Sequence, residues 1–222
     1  MSPDMLFNLL FKGLWQTLHM VAVAGIVGSL IGVPMGVFLA TSGKGELFPA
    51  PMTNRILGLI VNAARSTPFI ILVVAIIPFT RLVAGTSIGT SAAIVPLTVA
   101  TVPFIARLVE AAIREVDKGL IEAARAMGAT PLQIVTKVLL AEANPGITLA
   151  LTHTLVSPNG YSAMVGAVGG GGLGDLGIRY GYQRFMPDVM LAVVLVLIVL
   201  VQLVQSAGDR LARSFDKRTR KN

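Results

Sequence analysis

Residues 117–140 read DKGLIEAARAMGATPLQIVTKVLL, a stretch of charges and small residues set between two long apolar runs. From Asp117 to Met127 the pattern predicts a short amphipathic helix. Gly128 suits its end, because glycine enters the left-handed region without the clash that a Cβ brings. Thr130-Pro131-Leu132-Gln133 predicts a second helix start, with Thr130 as N-cap, Pro131 at the first helical position and Gln133 completing a capping box. Asn144-Pro145 is expected to interrupt the chain before the next apolar run. Two short helices around a tight turn also describe a DNA-reading motif, but a position between two membrane spans argues against that use.

Five apolar runs are long enough to cross a bilayer as helices, which takes about 20 residues. They cover 14–40, 56–80, 88–109, 145–168 and 187–207. None shows the two-residue alternation of a barrel strand, and backbone groups in lipid must be satisfied within the segment. The expected fold is therefore an all-α membrane protein. Residues 1–222 form one transmembrane domain, a bundle of five helices, with a polar loop at 110–144 between the third and fourth.

Composition agrees. Of the 222 residues 54% are apolar and 13% are charged, and the mean hydropathy is +0.78. A soluble domain carries about twice that charge, so most of the surface does not face water. The first apolar run is too long for the core of a signal peptide, so no cleavable leader is expected. There is no cysteine, and the two histidines, His19 and His153, lie far apart with no clustered partner ligand. Neither a metal site nor a cofactor is expected.

The net charge of +7 is concentrated in loops and in the tail Arg210, Arg213, Lys217, Arg218, Arg220 and Lys221. That distribution indicates a positive-inside anchor rather than a nucleic-acid surface. With the N-terminus outside, inner segments hold Lys44, Arg55, Arg107, Arg114, Lys118, Arg125, Lys137 and the tail. Outer segments hold only Lys12, Arg81, Arg179 and Arg184. The bias predicts a cytoplasmic C-terminus. Gly28, Gly32 and Gly36 form a small-residue stripe in the first span, which suits either packing within the chain or contact with a second copy. Pro34, Pro68, Pro78, Pro96 and Pro103 fall inside spans, where neighbouring helices must satisfy the freed carbonyls.

Glu122-Ala123-Ala124, Gly128 four residues on, and then Val138-Leu139-Leu140 resemble the EAA loop of binding-protein-dependent ABC permeases. Further likeness points to the methionine-uptake permease family. It lies in Arg65 to Leu72, Ile77 to Arg81, Gly85 to Gly89, Ala93 to Thr98, Gly160 to Met164, and the glycine-rich Gly169 to Gly174 with Arg179 to Tyr182. The resemblance implies a type I ABC importer permease in the bacterial inner membrane. It further implies a second copy of the chain, two ATPase subunits and a periplasmic methionine-binding lipoprotein. Glu122, Ala123, Ala124, Met127 and Gly128 would contact the ATPase, with Leu120, Ile121 and Met127 as apolar knobs. The chain departs from the family pattern at Ala141, Asn144, His153, Pro158 and Asn159, and a kinked or interrupted fourth helix is expected at Pro158-Asn159.

No G-x-x-x-x-G-K-[ST] phosphate loop occurs, so ATP hydrolysis is expected in a partner, and no catalytic cluster is legible. Gly169, Gly171 and Gly174 match G-x-G-x-x-G, but no strand is predicted before them, and a flexible external turn is expected. Arg65 is the one charge clearly inside a span, away from its ends. Its expensive location points to a cavity or to protein, either as a pathway residue meeting a substrate carboxylate or as a packing residue bonded near Pro68. Tyr161, Ser162 and Met164 are candidates to line the pathway, with helix packing as the competing role. A secondary transporter or channel working alone is the alternative function, and a membrane-embedded enzyme is a third. The first needs intramembrane acids for ion coupling and the second a reactive cluster, and neither is evident.

Overall fold

A computed structural model describes the backbone of residues 2–215, and the side chains of these except 153, 155–159, 209 and 211–215. Among the described residues the chain is helical, with no strand. Helix α1 spans Pro3–Thr41. Its 39 residues are about 58 Å long, so the helix starts well before the apolar run at 14–40 and outreaches the roughly 30 Å hydrocarbon core. Pro3 and Asp4 suit its first turn, and at its end the Ser42 hydroxyl donates to the Phe38 carbonyl at 2.6 Å.

The central partner is α5, Thr90–Arg114. The α1–α5 seam answers the question left by the glycine stripe. A Cβ on Gly28 would stand 2.7 Å from Thr101, one on Gly32 2.8 Å from Ile105, and one on Gly36 2.5 Å from the Ala106 carbonyl. The stripe is an intramolecular groove for α5. Lipid tails are as apolar as the side chains they would replace, so this seam is held by close van der Waals contact rather than by escape from water.

The run 56–80 is not one span. It divides into α2 (Pro51–Ser66), α3 (Phe69–Ala75) and α4 (Ile77–Ala84), and α2 and α3 meet at a bend of 106°. Pro68 supplies no N–H and drives Thr67 into extended backbone, φ −79° and ψ 125°. The Ser66 and Thr67 hydroxyls donate to the Asn62 and Ala63 carbonyls. Among the described residues four helical stretches are long and apolar enough to cross a membrane on their own: α1, α5, Pro131–Thr152 and α10 (Pro187–Phe215). The bent α2–α3 pair is long and apolar enough only when its two helices are taken together.

After α6 (Lys118–Ala126), the chain forms one continuous rod: α7 (Pro131–Gln133), a π-helical turn at Ile134–Leu139, and α8 (Leu140–Ala167). Two expectations are corrected here. Asn144-Pro145 lies inside the rod, fourteen residues from Pro131, and does not interrupt it, as a membrane helix packed on its neighbours tolerates proline. The backbone also stays helical through Pro158 and Asn159, so of the expected kink or interruption the interruption is absent; the side chains at His153, Pro158 and Asn159 lie outside the described residues. Helix α10 buries one face against α8 and shows Leu191, Val194, Leu195, Ile198, Val199 and Leu203 on the other, as a lipid-facing helix should.

The glycine-rich segment is not a flexible turn either. It forms α9 (Gly172–Leu176) and a second π-helical turn, Gly177–Tyr182. The Gly172 and Leu173 amides donate to Gln16 Oε1 at 3.0 Å and Thr17 Oγ1 at 2.9 Å. Cβ atoms on Gly166 and Gly174 would lie 2.2 Å and 2.3 Å from the facing backbone. Backbone thus packs on backbone between α8 and α9.

Candidate functional site

Helix α6 is built by local chemistry. Asp117 Oδ1 accepts from the Gly119 amide at 2.7 Å, capping the start. At its end Gly128 sits at φ +80°. The Gly128 amide donates to the Arg125 carbonyl at 2.9 Å and the Ala129 amide to the Ala124 carbonyl at 3.0 Å, the paired bonds of a Schellman stop. Two residues later the Thr130 amide donates to Gln133 Oε1 and the Gln133 amide to Thr130 Oγ1, the expected capping box.

This helix has an anchoring side and a free side. Ala124 is buried, and Ile121 packs beside it on a cluster of Ile105, Val109, Ile113, Ile134, Val135 and Leu139. Ile121 is therefore an anchor rather than a knob, and Ala124 faces inward. Glu122, Ala123, Met127 and Gly128 face out. Met127 is 82% exposed, and Leu120 and Leu132 add apolar surface on either side of it. A Cβ on Gly128 would meet nothing within 4 Å, so the free surface there is flat backbone.

The second candidate region lies at the α2–α3 break. Arg65, Thr67, Phe69, Leu72, Ala100, Phe104 and Tyr161 line a cleft of about 120 Å³. The Arg65 guanidinium carbon stands 5.8 Å from the centre of the Phe104 ring, within cation–π reach. Phe69 and Tyr161 stack at 4.5 Å between centroids. Arg65 and Tyr161, far apart in sequence, thus share one cleft. Ser162 and Met164 do not join them. Ser162 is buried, its carbonyl facing Gly174, and Met164 is half-exposed.

A group that sequence reading missed lies at the α6 end of α5. Glu110 is buried and pairs with Arg107 at 2.5 Å and Arg114 at 2.9 Å. Arg107 also donates from its other terminal nitrogen to the Gly58 carbonyl of α2 at 3.0 Å. The spacing of an acid three residues after one arginine and four before another was a legible signal of such a cluster.

Residues 32–221 match the family described as binding-protein-dependent transport system inner membrane component. The probable D-methionine transport system permease protein MetI of Vibrio cholerae is 56% identical over 211 residues, 95% of this chain and 94% of that protein. The D-methionine transport system permease protein MetI of Escherichia coli K12 is 55% identical over 166 residues, 75% of this chain and 76% of that protein. A chain from the inward facing conformations of the MetNI methionine ABC transporter has a TM-score of 0.94 at 53% identity, covering 98% of this chain and all of that one. A chain of an amino acid ABC transporter, at a TM-score of 0.78 and 21% identity, shares the fold.

Proposed function

The chain belongs to the family of binding-protein-dependent transport system inner membrane components, and from that premise we propose that it is the permease subunit of an ABC importer for methionine. It spans the bacterial inner membrane several times as a single domain over 1–222. It works beside a second copy of itself with two ATPase subunits and a periplasmic methionine-binding lipoprotein. It has no catalytic role of its own; hydrolysis belongs to the ATPase. The N-terminus is periplasmic and the C-terminus cytoplasmic, which puts α6 in the cytoplasm. A reporter that works only in the cytoplasm, fused at Asn222, should be active; an active periplasmic reporter there would reverse the orientation.

One observation carries the mechanism. The rod that starts at Pro131, against the anchored side of α6, reaches Tyr161 in the Arg65 cleft without a break. It covers about 45 Å at 1.5 Å per residue. A displacement of α6 by an ATPase therefore reaches the cleft through one continuous helix. Glu122, Ala123, Met127 and Gly128 form the docking face, and Ala124 fixes that face to the bundle. Arg65 supplies the positive charge for the substrate carboxylate, while Tyr161, Phe69 and Phe104 supply aromatic surface for its thioether. Ser162 and Met164 border the same stretch of α8, Ser162 through packing against α9. An exposed arginine within a span is too costly against lipid, so its face of the chain meets water or the second copy.

Arg65→Gln tests the pathway role. Methionine uptake should fall about tenfold, the scale of one lost charged hydrogen bond, while the amount of assembled complex is unchanged. Arg65→Lys should recover part of the uptake. Equal uptake by Arg65→Gln and the unsubstituted protein would remove Arg65 from the pathway.

A further inference from the structure

Helix α2 is loosely held. Val61 is its one buried side chain, the bend at Thr67-Pro68 frees one end, and the loop 42–50 leads into the other. Its specific attachments line one face, at the spacing of successive helical turns. Asn54 Nδ2 donates to the Leu39 carbonyl at 2.8 Å and to Ser42 Oγ at 2.9 Å. The Gly58 carbonyl accepts from Arg107, Val61 packs on Leu39 and Ala106, and Arg65 lies over Phe104. On α5 the two partners, Phe104 and Arg107, are one turn apart.

We propose that Arg107 and Glu110 are positioning residues for transport: Glu110 orients the Arg107 guanidinium so that it latches α2 to α5 and sets Arg65 in the cleft. The geometry requires both terminal nitrogens. One donates to Glu110, the other to Gly58, and Nε is buried without a partner, so no other hydrogen bond holds the group. Glu110 also pairs with Arg114, in the last turn of α5 and three residues before the Asp117 cap of α6. The carboxylate thus lies between the docking helix and the latch, and a shift of α6 can alter the latch without passing through the α8 rod. A lysine at 107 would keep the charge but lose the planar fork that serves both acceptors.

The inference rests on the proposed import function, and its test separates the two. The chain has no cysteine, so spin labels can be placed at Leu59→Cys on α2 and Ala111→Cys on α5, both exposed, in the reconstituted complex with its ATPase and binding protein. Glu110→Gln and Arg107→Lys should broaden the distance distribution between the labels. Methionine imported per ATP hydrolysed should fall about tenfold, as for loss of a charge-assisted bond, while assembled complex is retained. Glu110→Asp should restore most of that ratio. An unchanged distribution and ratio in Glu110→Gln would overturn the latch, as would a fall in uptake that only follows a fall in assembled complex. If the unsubstituted complex imports no methionine, the functional reading fails, and the distance measurement alone decides the latch.

Discussion

Replacing Gly128 with valine should leave the chain in the membrane and cost most of its transport. Gly128 holds φ at +80°, and a Cβ there would meet nothing within 4 Å inside the chain. The penalty is therefore pure backbone strain, worth about 1–3 kcal/mol for a residue forced into the left-handed region. Valine avoids it by unwinding the Schellman stop, which breaks the Ala129-to-Ala124 bond and turns the Thr130 cap away from α6. Met127 and Leu132 then lose their common face. A loss of that size corresponds to roughly a ten- to hundredfold drop in the docked population. Membrane level, co-purified ATPase and methionine uptake should be measured together. The first should be unchanged and the other two should fall. Gly128→Asn, which tolerates the left-handed region better, should recover part of both. Three unchanged values for Gly128→Val would show that α6 is only a linker.

How much was legible follows the range of the forces. The α6 end and the Thr130 capping box are set by residues within five positions of one another, and sequence alone placed them. The 106° bend was equally written in Thr67-Pro68, yet the apolar character of 56–80 concealed it, since composition says how far a run can reach and not whether it stays straight. Pro145 shows the converse: a proline reads as a breaker, yet inside a helix packed on its neighbours it leaves the helix whole. The glycine-rich segment was misread because what orders it lies 156 residues away, at Gln16 and Thr17. In the candidate site, Arg65 and Tyr161 were each singled out, but their meeting depends on how α2, α5 and α8 pack. The Arg107–Glu110–Arg114 cluster was visible as spacing and was passed over because it stands at the edge of an apolar run.

That long-range ordering makes Gly166→Ala the most damaging conservative change among the glycines of α8. The new methyl would lie 2.2 Å from the Asp175 nitrogen and 2.5 Å from the Gly174 carbonyl carbon, both backbone atoms that no rotamer change can remove. Either α9 moves out or α8 bends. Moving α9 pulls the Gly172 and Leu173 amides from Gln16 and Thr17, about 1 kcal/mol each, on top of about 1–3 kcal/mol for overpacking. The expected fall in unfolding temperature of the purified chain is roughly 6–20 °C. Gly160 on the same helix is the control, since a Cβ there meets nothing within 4 Å. Gly160→Ala should be neutral or gain a few tenths of a kcal/mol from better helix propensity, at most about 1. If the segment behaved as a flexible turn, α9 would yield at no cost and the two variants would melt together. A gap between them means that the Ala167 end of α8 is fixed in place. A rod driven from α6 at one end needs such a fixed seat at the other if it is to bend the cleft at Tyr161 rather than slide past it.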